Sequence, residues 1–147
     1  MSEGNKSKRA GTATELQLFR KLRKADPGGQ WESRTQGLDG KRTDTAPHGW
    51  DLFSRKRRVW VEVKLRDKRI TWGEIRKWCE YVYERPCDGM DATFPVRVVI
   101  YRQKHSSEWS VVTPWMPSTT RYTRCGLMVY AEPFDQWLAI ILTQGEV

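Results

Sequence analysis

Asp51, Glu62 and Lys64 are the residues whose types and spacing best suit chemistry. Val59-Trp60-Val61-Glu62-Val63-Lys64-Leu65 alternates as a strand does, so Val59, Val61, Val63 and Leu65 share an apolar face and Trp60, Glu62 and Lys64 share the other. Two residues of strand separate the carboxylate from the ammonium by about 6.6 Å. Upstream, Gly49-Trp50-Asp51-Leu52-Phe53-Ser54 predicts a second strand, and only Arg55-Lys56-Arg57-Arg58 lies between the two. A connection that short makes a hairpin, which sets Asp51 beside Glu62. Two carboxylates hold a hard divalent cation through oxygen. Such a cation activates water and neutralises a phosphate, and a lysine beside it stabilises developing negative charge. That set suits hydrolysis of a phosphodiester.

The charge distribution agrees with a polyanionic partner. The 147 residues carry a net charge of +8. Residues 1–75 hold 18 Lys and Arg against 10 Asp and Glu, which is the whole excess; the remainder holds eight of each. Basic excess concentrated in the half that carries the carboxylates predicts nucleic acid as the partner. Candidate phosphate contacts are Lys6, Lys8 and Arg9 in the N-terminal segment, Lys41 and Arg42 in a loop, the turn Arg55, Lys56, Arg57 and Arg58, and Arg66, Lys68 and Arg69 after the site strand. For the turn, a merely solvated charge run is the equal alternative.

Those side chains need a frame. At this length one domain with a real core is expected, and 38% of residues are hydrophobic, eight of them tryptophan. Mean hydropathy is −0.73, and the longest apolar run, Leu138 to Leu142, is far too short for a membrane span. No apolar leader follows the polar N-terminus, and Cys79, Cys87 and Cys125 form neither a disulfide framework nor a C-x-x-C pattern. These features predict a cytoplasmic protein with buried thiols. Residues 1–11 are expected to be a flexible basic arm, and 12–147 the single domain.

Thr12-Ala13-Thr14-Glu15 fits a capping box opening a helix with Leu16, Leu18, Phe19 and Leu22 on its apolar side, ended by Asp26-Pro27-Gly28-Gly29. A short strand is expected over 30–35, then a Gly-, Asp- and Thr-rich loop over 36–48. That loop offers Asp44 as an alternative ligand to Asp51. His48 reads as a loop residue. Thr71-Trp72-Gly73-Glu74 is a second capping box, opening a helix with Ile75, Trp78, Cys79 and Val82 on its apolar face. Helical spacing assigns Trp72 and Trp78 to the core rather than to base stacking. Strands are expected over 94–101, 109–113 and 127–130, with His105 in a turn, Pro114 and Pro117 in a loop, and a last helix over 134–142.

The order Asp51, then Glu62-Val63-Lys64, resembles the signature of the PD-(D/E)XK nuclease superfamily, although Pro47-His48-Gly49-Trp50-Asp51 lacks the literal Pro-Asp pair. The resemblance spans about residues 12–101. It implies an α/β fold, a restriction-endonuclease-like core with a mixed central β-sheet flanked by helices. It implies Mg²⁺, with Mn²⁺ substituting, held by Asp51, Glu62 and the Val63 carbonyl. It also offers Glu15 a second role as a metal-site carboxylate on the first helix. The basic segment Lys6-Ser7-Lys8-Arg9-Ala10-Gly11 before that helix, the small size and the Val61-Glu62-Val63-Lys64 strand look like the Holliday junction resolvase branch, whose members are small homodimers that cut branched DNA.

Overall fold

The computed structural model describes residues 3–33, 50–84, 96–115 and 128–144. Among these described residues, two runs of three strands are separated by one helix and flanked by two others. Helix α1 is Glu3–Ala25, followed by a 3-10 turn, Pro27–Gly29. Strands β1 (Glu32–Ser33), β2 (Leu52–Ser54) and β3 (Val59–Arg66) lead to helix α2 (Trp72–Glu84). Then come β4 (Val96–Gln103), β5 (Ser110–Trp115), β6 (Met128–Pro133) and helix α3 (Phe134–Gln144).

The strands form one mixed sheet in the order β1-β2-β3-β4-β5-β6. Among the described residues only β3 and β4 are parallel, because α2 carries the chain back between them; the other neighbouring pairs are antiparallel. Two hydrophobic layers sandwich the sheet. On one face Leu18, Phe19 and Leu22 of α1 and Phe134, Trp137, Leu138 and Ile141 of α3 pack on Val59, Val61, Val98 and Ile100. On the other, Ile75, Trp78, Cys79 and Val82 of α2 pack on Trp60, Val99 and Val112. The alternation read from β3 therefore sorts its side chains between two cores. The fold is α/β with a mixed central sheet flanked by helices.

Three boundaries differ from expectation. Residues 3–11 are the first turns of α1, not a free arm. The Thr12–Glu15 pattern lies inside that helix, where Thr14 and Glu15 are buried instead of capping it. Strand β5 runs through Pro114, expected in a loop, to Trp115. Its register with β4 stops at Val112, so Pro114 pairs only with Val129 of β6, an edge-like setting that tolerates proline. Trp78 is core, but Trp72 is 68% exposed, because it is the first residue of α2 and precedes the buried stripe.

The Thr71 half of the second capping box forms. The Glu74 N–H donates to Thr71 Oγ1 at 3.2 Å, and the Ile75 N–H donates to the Thr71 carbonyl at 3.1 Å. Thr71→Ala is expected to cost about 1 kcal/mol, seen as a lower urea midpoint with the slope unchanged. An unshifted midpoint would show that water serves the Glu74 N–H equally well.

A polar knot ties the end of α1 to the β2–β3 hairpin. Arg57 grips the Asp26 carboxylate with two donors, Nε at 3.0 Å and Nη2 at 2.7 Å, and Trp31 Nε1 donates to the same group at 3.0 Å. The Ser54 hydroxyl donates to the Gly29 carbonyl and accepts the Arg57 backbone N–H. Only glycine fits at position 29, since a Cβ there would overlap the Asp26 carboxylate. Burial would raise the Asp26 pKa, but hydrogen bonds from Arg57 and Trp31 and the positive charge of Arg57 outweigh it and hold the carboxyl below its ordinary value.

Candidate metal centre at the end of the β2–β3 pair

Strand β2 is short, and its end makes the site. Leu52 faces Val61 in the antiparallel register, which, continued by one residue, puts Asp51 opposite Glu62. Pairing stops at Leu52, with Asp51 in a bend just before the strand. The Val63 N–H, which would have found an acceptor on an extended β2, donates instead to Asp51 Oδ2 at 2.8 Å. This bond fixes the Asp51 carboxylate against the backbone of β3. Within a strand the N–H and C=O of one residue point to the same side, so the Val63 carbonyl also faces the gap that Asp51 borders.

Glu62 and Lys64 lie on the α2 face of β3, in line with Trp60. They stand beside Val99 and Tyr101 of β4. Helix α2 packs mainly on β4 and β5 and meets β3 at Trp60; beyond Trp60, Lys64 keeps a quarter of its side chain in solvent while Glu62 is nearly buried. Lys64 Nζ is 3.4 Å from Glu62 Oε1. Asp51 is 5% exposed. The hairpin thus brings together two sheltered carboxylates, one ammonium and one backbone carbonyl.

Glu15 is placed differently. It sits on the buried stripe of α1, in helical phase with Leu18, Phe19 and Leu22, which packs on the opposite face of the sheet. Among the described residues no three His, Cys, Asp or Glu side chains converge as a metal-binding group. Asp51 and Glu62 are the two carboxylates that register and hydrogen bonding bring side by side. As donors they suit a hard dication such as Mg²⁺, which takes oxygen ligands and retains several waters.

The cations divide into committed and available. Arg57, read with equal weight as a phosphate contact or a solvated turn residue, pairs with Asp26 inside the fold, because its position in the turn faces the end of α1. Arg55 lies over the Phe53 ring and 3.4 Å from Glu32, with half its side chain exposed. Arg66 lies over Trp78 and 3.7 Å from Glu74. Lys56, Arg58, Lys68 and Arg69 are exposed. Lys6, Lys8 and Arg9 belong to α1, but their side chains lie outside the described residues, as do Lys41, Arg42, Asp44 and His48. Cys79 is buried, and burial with the nearby Glu80 pushes its thiol up to about 12, so it is inert at neutral pH. Cys87 and Cys125 lie outside the described residues.

Sequence reasoning took Asp26 only as a helix stop. The Gly28-Gly29 pair beside it was the available signal, since close backbone approach often accompanies a buried polar partner. No family model, curated protein or solved structure matches this chain. Among the described residues no helix is long and apolar enough to cross a membrane.

Proposed function

We propose that this protein is a metal-dependent DNA endonuclease of the PD-(D/E)XK type, acting on branched DNA in the manner of a Holliday junction resolvase. One observation carries the reading. Asp51 turns out of the end of β2 to hold the Val63 N–H, which places it across from Glu62 and two strand positions from Lys64, in the basic half of the chain. A surface ion pair between Glu62 and Lys64 would explain neither the burial of Asp51 nor its seat on that backbone amide.

Asp51, Glu62 and the Val63 carbonyl would hold Mg²⁺, or Mn²⁺ in its place, and the ion would supply Lewis acidity toward the phosphate and an activated water. Asp51 is held in place by the backbone of β3, so its carboxylate is oriented before any ligand arrives. Lys64 stabilises charge developing on the phosphate and is steered by its pairing with Glu62. Exposed cations of the turn and of residues 66–69 flank the site and attract the strand. Glu15, the further metal-site carboxylate that the resemblance implies, lies in the α1 layer on the other face of the sheet and is assigned no step. A homodimer would set two such sites on one four-way junction.

The test is a substrate panel: a four-way junction, a flap, a linear duplex and a single strand, each with Mg²⁺ or EDTA, beside Glu62→Ala. Symmetric Mg²⁺-dependent nicking of the junction alone is expected. Cleavage spread over all substrates would keep the chemistry and remove the junction preference. Tight binding without cleavage by any divalent metal would leave a nucleic-acid-binding module in which Glu62–Lys64 is only an ion pair. A monomeric mass with full junction resolution would remove the dimer. In the same assay Asp51→Asn is expected to lose cleavage about a hundredfold or more, and Asp44→Asn to stay near the parent; the reverse ranking would move the ligand to Asp44.

A further inference from the structure

A second polar cleft, of about 440 Å³, opens between α1 and the turn that joins β4 to β5. Gln17, Arg102, Lys104, His105, Ser106 and Ser107 line it together with the Trp109 ring, and no carboxylate is among them. The turn is built around Arg102. Its Nη1 donates to the carbonyls of Lys104 at 3.2 Å and Ser106 at 2.9 Å, its Nη2 donates to Gln17 Oε1 at 3.2 Å, and its guanidinium lies over the Trp109 ring. These bonds fix the loop before any ligand binds. The Ser106 Oγ accepts the Glu108 N–H at 3.1 Å, so its own proton is free to donate. Lys104 meets Asp67 at 3.5 Å with both side chains at least half exposed, a contact a phosphate can displace at little cost.

The cleft also has the right address. The Lys104 N–H donates to the Arg66 carbonyl at 2.7 Å, pinning the turn to the end of β3, two residues beyond Lys64. The carboxylate site and this cleft therefore sit at the same end of the sheet, one on each face. A strand crossing the ends of β3 and β4 passes both.

We propose that this cleft holds a backbone phosphate of the nucleic-acid strand near the scissile one, through the Lys104 ammonium, the His105 ring and the Ser106 hydroxyl. The inference rests on the nucleic-acid reading of the carboxylate site. It is tested by binding alone, in EDTA, with a fluorescent duplex titrated at several salt concentrations. Lys104→Ala should make the slope of log affinity against log salt shallower by about one and weaken binding roughly threefold to tenfold at 0.1 M salt. Lys104→Arg should restore the slope, and Lys24→Ala, two turns along α1 from Gln17, should leave it unchanged. An unaltered slope in Lys104→Ala, or an equal loss in Lys24→Ala, would overturn the site. Repeating the titration with 5′-phosphorylated and 5′-hydroxyl ends separates the two sources of phosphate: equal losses support an internal phosphate, and a loss confined to phosphorylated ends overturns it. Cleavage does not enter this measurement, so a changed slope in a protein that never cuts DNA would sink the nuclease reading and spare the cleft.

Discussion

Lys64→Ala and Glu62→Gln should each cut Mg²⁺-dependent cleavage by about a thousandfold while leaving DNA binding within a few-fold. The two losses have different causes. Lys64→Ala removes the ammonium that meets charge developing on the phosphate, and preorganised charge of this kind contributes about 10² to 10³ in rate. Lys64→Arg should not rescue it, because the planar guanidinium is larger and differently hydrated. Glu62→Gln removes half of the anionic ligand pair, so the ion is held weakly and the water it would activate loses its place. Binding should respond in opposite directions. Without the Glu62 carboxylate 3.4 Å from its Nζ, Lys64 turns its full charge toward the strand, and Glu62→Gln should bind DNA slightly more tightly. Single-turnover cleavage and metal-free binding, measured on the same preparations, decide the matter. Parallel losses of cleavage and affinity in Glu62→Gln would show a carboxylate that supports the fold rather than the reaction.

Arg57→Ala should be among the most destabilising changes in the chain, at about 3 kcal/mol. The Asp26 carboxylate is 3% exposed and receives two hydrogen bonds from this guanidinium. Truncating Arg57 leaves a buried charge with only the Trp31 N–H among the donors that now hold it. The effect carries a pH signature. Asp26 is depressed below its ordinary 3.8, so the unfolded chain takes up its proton first as acid is added. Its contribution to stability is complete above about pH 4 and is lost as the pH falls through the folded value. Arg57→Ala should therefore unfold at lower urea than the parent at pH 7, and the gap should narrow by pH 3. A gap that stays constant between these pH values would mean that lost packing, not the ion pair, sets the cost.

The sheet and its site were legible in unequal measure. Strand β3 could be read because Val59, Val61, Val63 and Leu65 recur at every second position, a period no helix supports. Helix α2 was equally legible, because Thr71 and Glu74 mark its start. The hairpin could be inferred from four cations between two apolar runs, and it placed Asp51 beside Glu62 correctly. What escaped were features decided by partners distant in sequence. The start of α1 was hidden by a Thr12–Glu15 pattern that serves equally well inside a helix, and by Gly4 and Gly11, whose poor helix propensity the longer helix tolerates. Arg57 resembled its neighbours in the turn until Asp26, 31 residues earlier in the chain, claimed it. Trp72 has the periodicity of a core residue but falls before the stripe is covered. Glu15 read well as a cap and as a ligand, and the fold gives it a third setting, inside the α1 layer.

The six strands stand in the sheet in the order in which they are synthesised. Each therefore finds its partner in the segment made just before it, and no strand is left waiting for a neighbour from the far end of the chain. Short-range closures lose little chain entropy and favour rapid folding. The largest closure is the crossover through α2, which must swing β4 back alongside β3. The two carboxylates are joined on the other side of that step, by the tightest turn in the sheet. Asp51 and Glu62 can meet as soon as the hairpin has left the ribosome, before α2, β4 or the C-terminal helix exists to shelter them.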